Sequence, residues 1–311
     1  MHEHITRALY YVHVHLLYAS IVWLAAWVLT SFLRGSATTK YWIWVATSLN
    51  FILPVGAVID KFWTSHLSWA APLSVIGGVA NSISESPAAG VLCLVWLLGA
   101  ILMLRRVCLR IRAERRDARA SACQSAIDPR PEFLAHGVPV RFAESRQGPA
   151  VDGILRPHIS LPNGIDRLLS DQEFNAVLVH EVTHARRRDN LIRLIHEVGL
   201  CGLWFHPLVW ITGSRIALYR ELSCDESVIQ RAHGEDLVSA LAKLANPEEP
   251  LLLQSTASSF MSQRLARLTS AQPQRKRSID SALLTALFIA VLLGGVLGTF
   301  AHTAFCFVAK K

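Results

Sequence analysis

The residues best able to do chemistry are His180, Glu181 and His184, in the run His180-Glu181-Val182-Thr183-His184. On a helix, side chains four apart share one face, so both imidazoles can reach a single metal ion, and Zn2+ is the ion such a pair suits. Glu181, beside the first ligand, can take a proton from a metal-bound water and act as general base. The competing reading is a solvated helix face with two histidines. Against it, Val177, Leu178, Val179 and Val182 surround the motif, and ionisable groups rarely sit in an apolar run without partners.

A catalytic zinc needs a third protein ligand and one open position. A third histidine six residues after His184 is excluded, because that residue is Asn190. His196-Glu197 begins a second motif, but Leu200 stands where its second histidine should be. Glu221, in Arg220-Glu221-Leu222-Ser223-Cys224-Asp225-Glu226, is the better candidate. Asp225 lies four residues on and shares its helix face; a carboxylate there can accept the free ring N–H of a zinc-bound histidine. His206, Tyr219 and Arg220 are each candidates to stabilise an oxyanion, against a packing or ion-pair role, and the sequence does not choose among them. The six cysteines form no Cys-x-x-Cys pair. Neither a disulfide framework nor a cysteine zinc site is expected.

These side chains need elements to position them. Ser170 and Glu173 stand at the capping-box positions of a helix that carries the His180 motif on an apolar spacing of Phe174, Val177, Leu178 and Val182. Residues 190–233 read as mostly helical, broken at Pro207. Short β-branched runs between turn signals predict a small sheet over 138–162, and two prolines make 123–136 a linker. Prolines and a Ser/Thr cluster make 246–262 a loop.

The 311 residues are 52% hydrophobic and only 17% charged, and the apolar residues are blocked rather than spread. Runs free of Lys, Arg, Asp and Glu cover 8–33, 41–59, 86–104 and 281–309. Each is close to or above the length of about 20 residues that crosses a bilayer as a helix. Residues 62–84 are also uncharged but rich in Ser and Gly, and read as an interfacial or re-entrant loop. Arg105, Arg106 and five further arginines to Arg119 follow the third run, which continues as a helix to about 122. Arg275-Lys276-Arg277 precede the fourth. By the positive-inside rule, 34–40 and 105–280 face the cytoplasm, with 60–85 and both termini outside. The net charge of +8 then mostly reflects topology. No direct nucleic-acid contact is expected.

The sequence resembles the BlaR/MecR family of integral membrane metallopeptidases, which release transcriptional repressors. HEVTHARRRDN, WFHPLVW, YRELSCDESVI and GILRPHISLP carry the resemblance, which covers most of the chain and is specific in the combination and order of these motifs. It implies a helical membrane protein with a cytoplasmic α+β, gluzincin-like zinc peptidase domain. Three transmembrane helices would occupy 1–107, the peptidase domain 108–280 and a fourth transmembrane helix 281–309. It implies zinc on His180, His184 and Glu221, with Glu181 as base. Its expected partners are the lipid bilayer and a cytoplasmic protein substrate, such as a DNA-binding repressor. It also implies self-processing in the cytoplasmic domain, for which the 246–262 loop and Phe260 are the expected place. The sensing receptors carry an extracellular penicillin-binding domain after the fourth span. Here Lys311 follows that run and no Ser-x-x-Lys occurs, so an acylating β-lactam site is not expected in this sequence. Two rival readings are a quality-control membrane metallopeptidase and a non-catalytic membrane scaffold. Degradation of many misfolded substrates would mark the first, and the intact zinc motif argues against the second.

Overall fold

The computed structural model describes residues 2–32, 35–53, 88–125, 133–143, 148–231, 233–244, 261–269 and 280–292. The predicted 62–84 loop, most of the 246–262 loop, the 275–277 charge cluster and the end of the fourth span lie outside them. Among the described residues, the first helices are α1 (His2–Phe32), α2 (Ala37–Ile52) and α3 (Ala88–Ser125). A sheet of β1 (Phe133–Ala135), β2 (Val138–Ala143), β3 (Ala150–Asp152) and β4 (His158–Pro162) follows. Then come α4 (Ile165–Leu168), α5 (Asp171–Arg187), α6 (Asp189–Gly202), α7 (Pro207–Ile229) and α8 (Gly234–Leu244). The last described helices are α9 (261–269) and α10 (Asp280–Leu292).

The sheet order is β1-β2-β4-β3. A two-residue turn with positive φ at both His136 and Gly137 joins β1 to β2 as an antiparallel hairpin. β2 and β4 are parallel, and β3 returns antiparallel to β4 as an edge strand. Gly153 makes that return possible: its φ is +83°, and a Cβ there would meet the Arg156 carbonyl oxygen at 2.4 Å. Val140, Ile159 and Leu161 are fully buried and pack with Val177, Leu178 and Val182 of α5 and with Leu237 and Ala240 of α8. Burial of each large apolar side chain in this layer contributes about 1.5–3 kcal/mol.

The capping box forms as the sequence predicts: Glu173 N donates to Ser170 Oγ at 3.3 Å, and Ser170 N donates to Glu173 Oε2 at 2.7 Å. Glu173 also accepts from Lys243 Nζ and Ser239 Oγ of α8. Those bonds, with the backbone N–H of Ser170, hold its carboxyl down at about 2, against an ordinary 4.5. The start of the His180 helix is thus tied to α8.

α1 and α3 each contain a stretch long and apolar enough to cross a membrane, His15–Phe32 and Gly90–Arg116. Along α3, Leu92, Leu94, Trp96 and Leu98 are all at least 45% exposed. An apolar surface of that extent marks contact with something other than water. α3 runs on unbroken through the arginines, as expected.

α2 behaves differently. It holds ten buried residues along its 16. Ala37, Tyr41, Trp44 and Val45 pack against Ile216, Leu218, Tyr219 and Leu222 of α7. A helix read as a membrane span thus lies against the helix that carries Glu221.

Candidate metal centre

α5 brings the two histidines together by its own pitch. His180 Nε2 and His184 Nε2 lie 3.2 Å apart, with ring centroids 4.9 Å apart. α7 crosses them and adds Glu221, whose Oε2 is 3.5 Å from His180 Nε2 and 3.7 Å from His184 Nε2. Donor atoms about 2.0–2.1 Å from a tetrahedral zinc stand roughly 3.3–3.5 Å from one another, so this triangle fits the ion.

A carboxylate stands against the other nitrogen of each ring. His184 Nδ1 is 2.7 Å from Asp189 Oδ2. His180 Nδ1 is 3.1 Å from Asp225 Oδ1, a charge contact that departs from the axis of an aligned hydrogen bond. Each carboxylate is held in turn. Arg264 of α9 clamps Asp225 with two bonds of 2.9 Å. Asp189 accepts from Tyr41 Oη of α2 at 2.7 Å and from an Arg187 NH2 at 2.7 Å. Arg220 donates to Glu221 Oε1 at 3.0 Å, so that Oε2 is the atom near the imidazoles.

The electrostatics agree with the geometry. Burial alone would lower the His180 pKa, but the Asp225 and Glu221 carboxylates outweigh it and hold it up at about 9. Burial works to raise the Glu221 pKa, and the two imidazoles and Arg220 overcome it and hold it well below the carboxylate range. Positive charge is favoured where the rings meet, as protons on the imidazoles or as a metal ion.

Cys224 Sγ also lies within 4.8 Å of the ligand atoms of His180 and His184. It is a second candidate for third donor, and accepts from an Arg187 NH2 at 3.0 Å. Glu221 is the better one, because it lines the adjoining cavity and Cys224 does not. A catalytic ion needs that access for its open position. The cavity, of 390 Å³, is lined by His180, Glu181, His184 and Glu221, by Ala150 and Val151 of β3, and by an apolar wall of Val177, Leu237, Leu241 and Leu244. Asn190 donates to the Val151 carbonyl at 2.9 Å and fixes β3 at the rim.

The profile of the family described as BlaR1 peptidase M56 matches residues 11–268. The chain belongs to that family. Similar proteins include a regulatory protein BlaR1 of Bacillus licheniformis, 36% identical over 84 residues. That match covers 27% of this chain and 14% of the relative. The methicillin resistance mecR1 protein of Staphylococcus aureus is 21% identical over 180 residues, 53% of this chain and 30% of the relative, and that of Staphylococcus epidermidis matches to the same extent. The chain thus matches less than a third of the length of these M56 relatives.

Within this M56 chain the predicted site residues divide. His180, Glu181, His184, Glu221 and Arg220 line one cavity, and Asp225 backs it. His206 and Tyr219 are not in it. His206 caps the start of α7 and packs on Phe51, ring centroids 5.2 Å apart. It stands fifteen residues before Glu221, about 22 Å along a helix. Tyr219 is two residues before Glu221, so it faces the other side of α7 and packs against α2. Arg220 does reach the cavity, but its guanidinium is on the Glu221 carboxylate. Asp189, Arg264 and Tyr41 were missed by motif reading. Cys224 was missed as well, because no cysteine ligand was expected, although a residue three past Glu221 shares its helix face.

Proposed function

We propose that this chain is a membrane zinc endopeptidase of gluzincin-like architecture, whose substrates are cytoplasmic proteins and include a DNA-binding repressor. The observation that carries the reading is the triangle of His180 Nε2, His184 Nε2 and Glu221 Oε2, with each imidazole backed by a carboxylate. His180, His184 and Glu221 would hold zinc. Asp225 and Asp189 would keep the proton on each Nδ1, leaving the Nε2 lone pairs for the metal. When bound, zinc polarises a water and the scissile carbonyl. Glu181 accepts the water's proton and returns it to the leaving amine nitrogen. The edge strand β3 accepts an extended substrate segment as an added strand, and the Leu237-Leu241-Leu244 wall takes an apolar side chain beside the cut. The regulatory description of the relatives favours cleavage of one regulator over broad quality control. Elemental analysis of purified full-length protein should find a single zinc per chain, removed by chelation and restored by added zinc. Protein that neither carries nor takes up zinc would overturn the reading.

The same proposal has α1, α2, α3 and the 281–309 helix in the bilayer and the peptidase part in the cytoplasm. The turn between α6 and α7 supports it. Residues 198–214 contain no Asp, Glu, Lys or Arg, and Phe205, Trp210 and Ile211 are exposed. Trp204 Nε1 donates to the Trp96 carbonyl at 3.1 Å and Trp96 Nε1 to the Gly202 carbonyl at 2.9 Å, which ties this tip to the apolar middle of α3. On α6, Glu197 lies five residues before Gly202, about one and a half turns away, and pairs there with Arg110 of α3. Reporter fusions after Ile127 should behave as cytoplasmic and fusions after Glu85 as external. The reverse pattern, or the same side for both, would sink this topology.

A further inference from the structure

α2 reaches the metal centre through one hydroxyl. Tyr41 is fully buried, and its Oη donates to Asp189 Oδ1 at 2.7 Å. The other oxygen of that carboxylate faces His184 Nδ1, also at 2.7 Å. The Arg187 guanidinium both donates to Asp189 and lies over the Tyr41 ring, 4.6 Å from its centroid. Asp189 is thus a buried carboxylate whose rotation is fixed from two sides. Removing the phenol hydroxyl would leave Oδ1 without its donor in a buried site, and the carboxylate, then held through Oδ2 alone by Arg187 and His184, would be free to swing about that oxygen. The acceptor that orients the His184 ring would then be less firmly fixed.

We propose that Tyr41 is a positioning residue of the metal site, acting through Asp189 on His184, and that α2 thereby reports its own position to the metal centre. The proposal rests on His184 being a ligand. α2 is well placed for this, because it is clipped to α7, which carries Glu221, and to α6, which begins at Asp189. Near its start, Thr38 N and Oγ1 donate to Glu226 Oε2 of α7 at 3.2 and 3.3 Å, one residue from Asp225. Further along, Ser48 Oγ and His196 Nδ1 of α6 share a bond of 2.8 Å. It also packs on α1, where Trp23 and Trp44 meet edge to face at 5.9 Å. Lengthening the 2.7 Å Tyr41–Asp189 contact by about 1 Å along its axis would take it out of hydrogen-bonding range. A displacement of α1 and α2 within the bilayer would therefore reach His184 with no change in the peptidase sequence.

The test is Tyr41→Phe in the full-length protein, which keeps the ring, its packing and its contact with Arg187. Loss of a direct outer partner of a metal-bound histidine typically weakens metal binding about 10- to 100-fold, and Asp189→Asn is expected in that range. Tyr41→Phe, one bond further out, is expected to raise the zinc dissociation constant about 3- to 10-fold and to shift the visible spectrum of the cobalt-substituted protein. The double variant should bind zinc no more weakly than Asp189→Asn alone, because the two act in series. Tyr219→Phe, which removes a hydroxyl from the same packed cluster without touching Asp189, should match wild type. Tyr41→Phe with wild-type zinc affinity and cobalt spectrum would overturn the proposal. So would additive losses in the double variant, or an equal loss in Tyr219→Phe. A wild-type protein that binds no zinc would instead overturn the metal reading beneath it.

Discussion

Glu181→Gln is expected to lower peptide-bond hydrolysis by about 100- to 10,000-fold, the range set by losing a positioned general base. The substitution keeps the shape of the side chain and removes its capacity to hold a proton as a carboxylic acid. Glu181 lines the cavity shared by His180, His184 and Glu221 but is not one of the converging donors. Zinc content should therefore stay at one per chain, and thermal stability should change little. The measurement pairs zinc analysis with turnover of a defined protein substrate in membranes. Turnover near that of wild type would remove Glu181 from the mechanism and leave the ligand set untouched. The same variant also tests self-processing: a fragment ending between 246 and 262 that still forms in Glu181→Gln protein comes from another protease.

His184→Ala should weaken zinc binding about 100- to 1,000-fold, as expected when an apparent binding energy of about 10–16 kcal/mol is spread over four coordination positions. Both nitrogens of the ring are lost at once. The substitution removes the donor 3.2 Å from His180 Nε2 and leaves Asp189 with Tyr41 and Arg187 but no imidazole. Metal content after dialysis against a competing chelator is the readout, with circular dichroism to confirm that the helices persist. Full retention of zinc by folded His184→Ala protein would mean that the histidines are not the site. Glu221→Ala and Cys224→Ala, measured beside it, separate the two candidate third donors. Glu221→Ala should lose affinity to a similar degree, and Cys224→Ala much less, because Cys224 is outside the cavity lining.

Local spacing determined much of this protein before any fold was known. His180 and His184 share a face because four residues make about one helical turn, and α5 places their Nε2 atoms 3.2 Å apart. Glu221 and Asp225 follow the same rule on α7, and both stand at the imidazoles. The capping box of Ser170 and Glu173 and the helix start at Pro207 are also short-range signals, and both form. Other features needed the tertiary structure. Asp189 lies five residues past His184, off its helical face. Only the left-handed turn at Arg188, with φ 56°, folds it back to His184. Arg264 stands 39 residues beyond Asp225, a separation that no periodicity spans. His206 and Tyr219 carry polar groups that could stabilise an oxyanion, as Arg220 does, but helix pitch and the packing of α7 on α2 direct them elsewhere. Tyr41 sits in a run whose lack of charge reads as a lipid-facing span. Hydropathy reports that a helix avoids water, not whether lipid or protein covers it, so only the packing of α2 on α6 and α7 could reveal a hydroxyl bonded to Asp189.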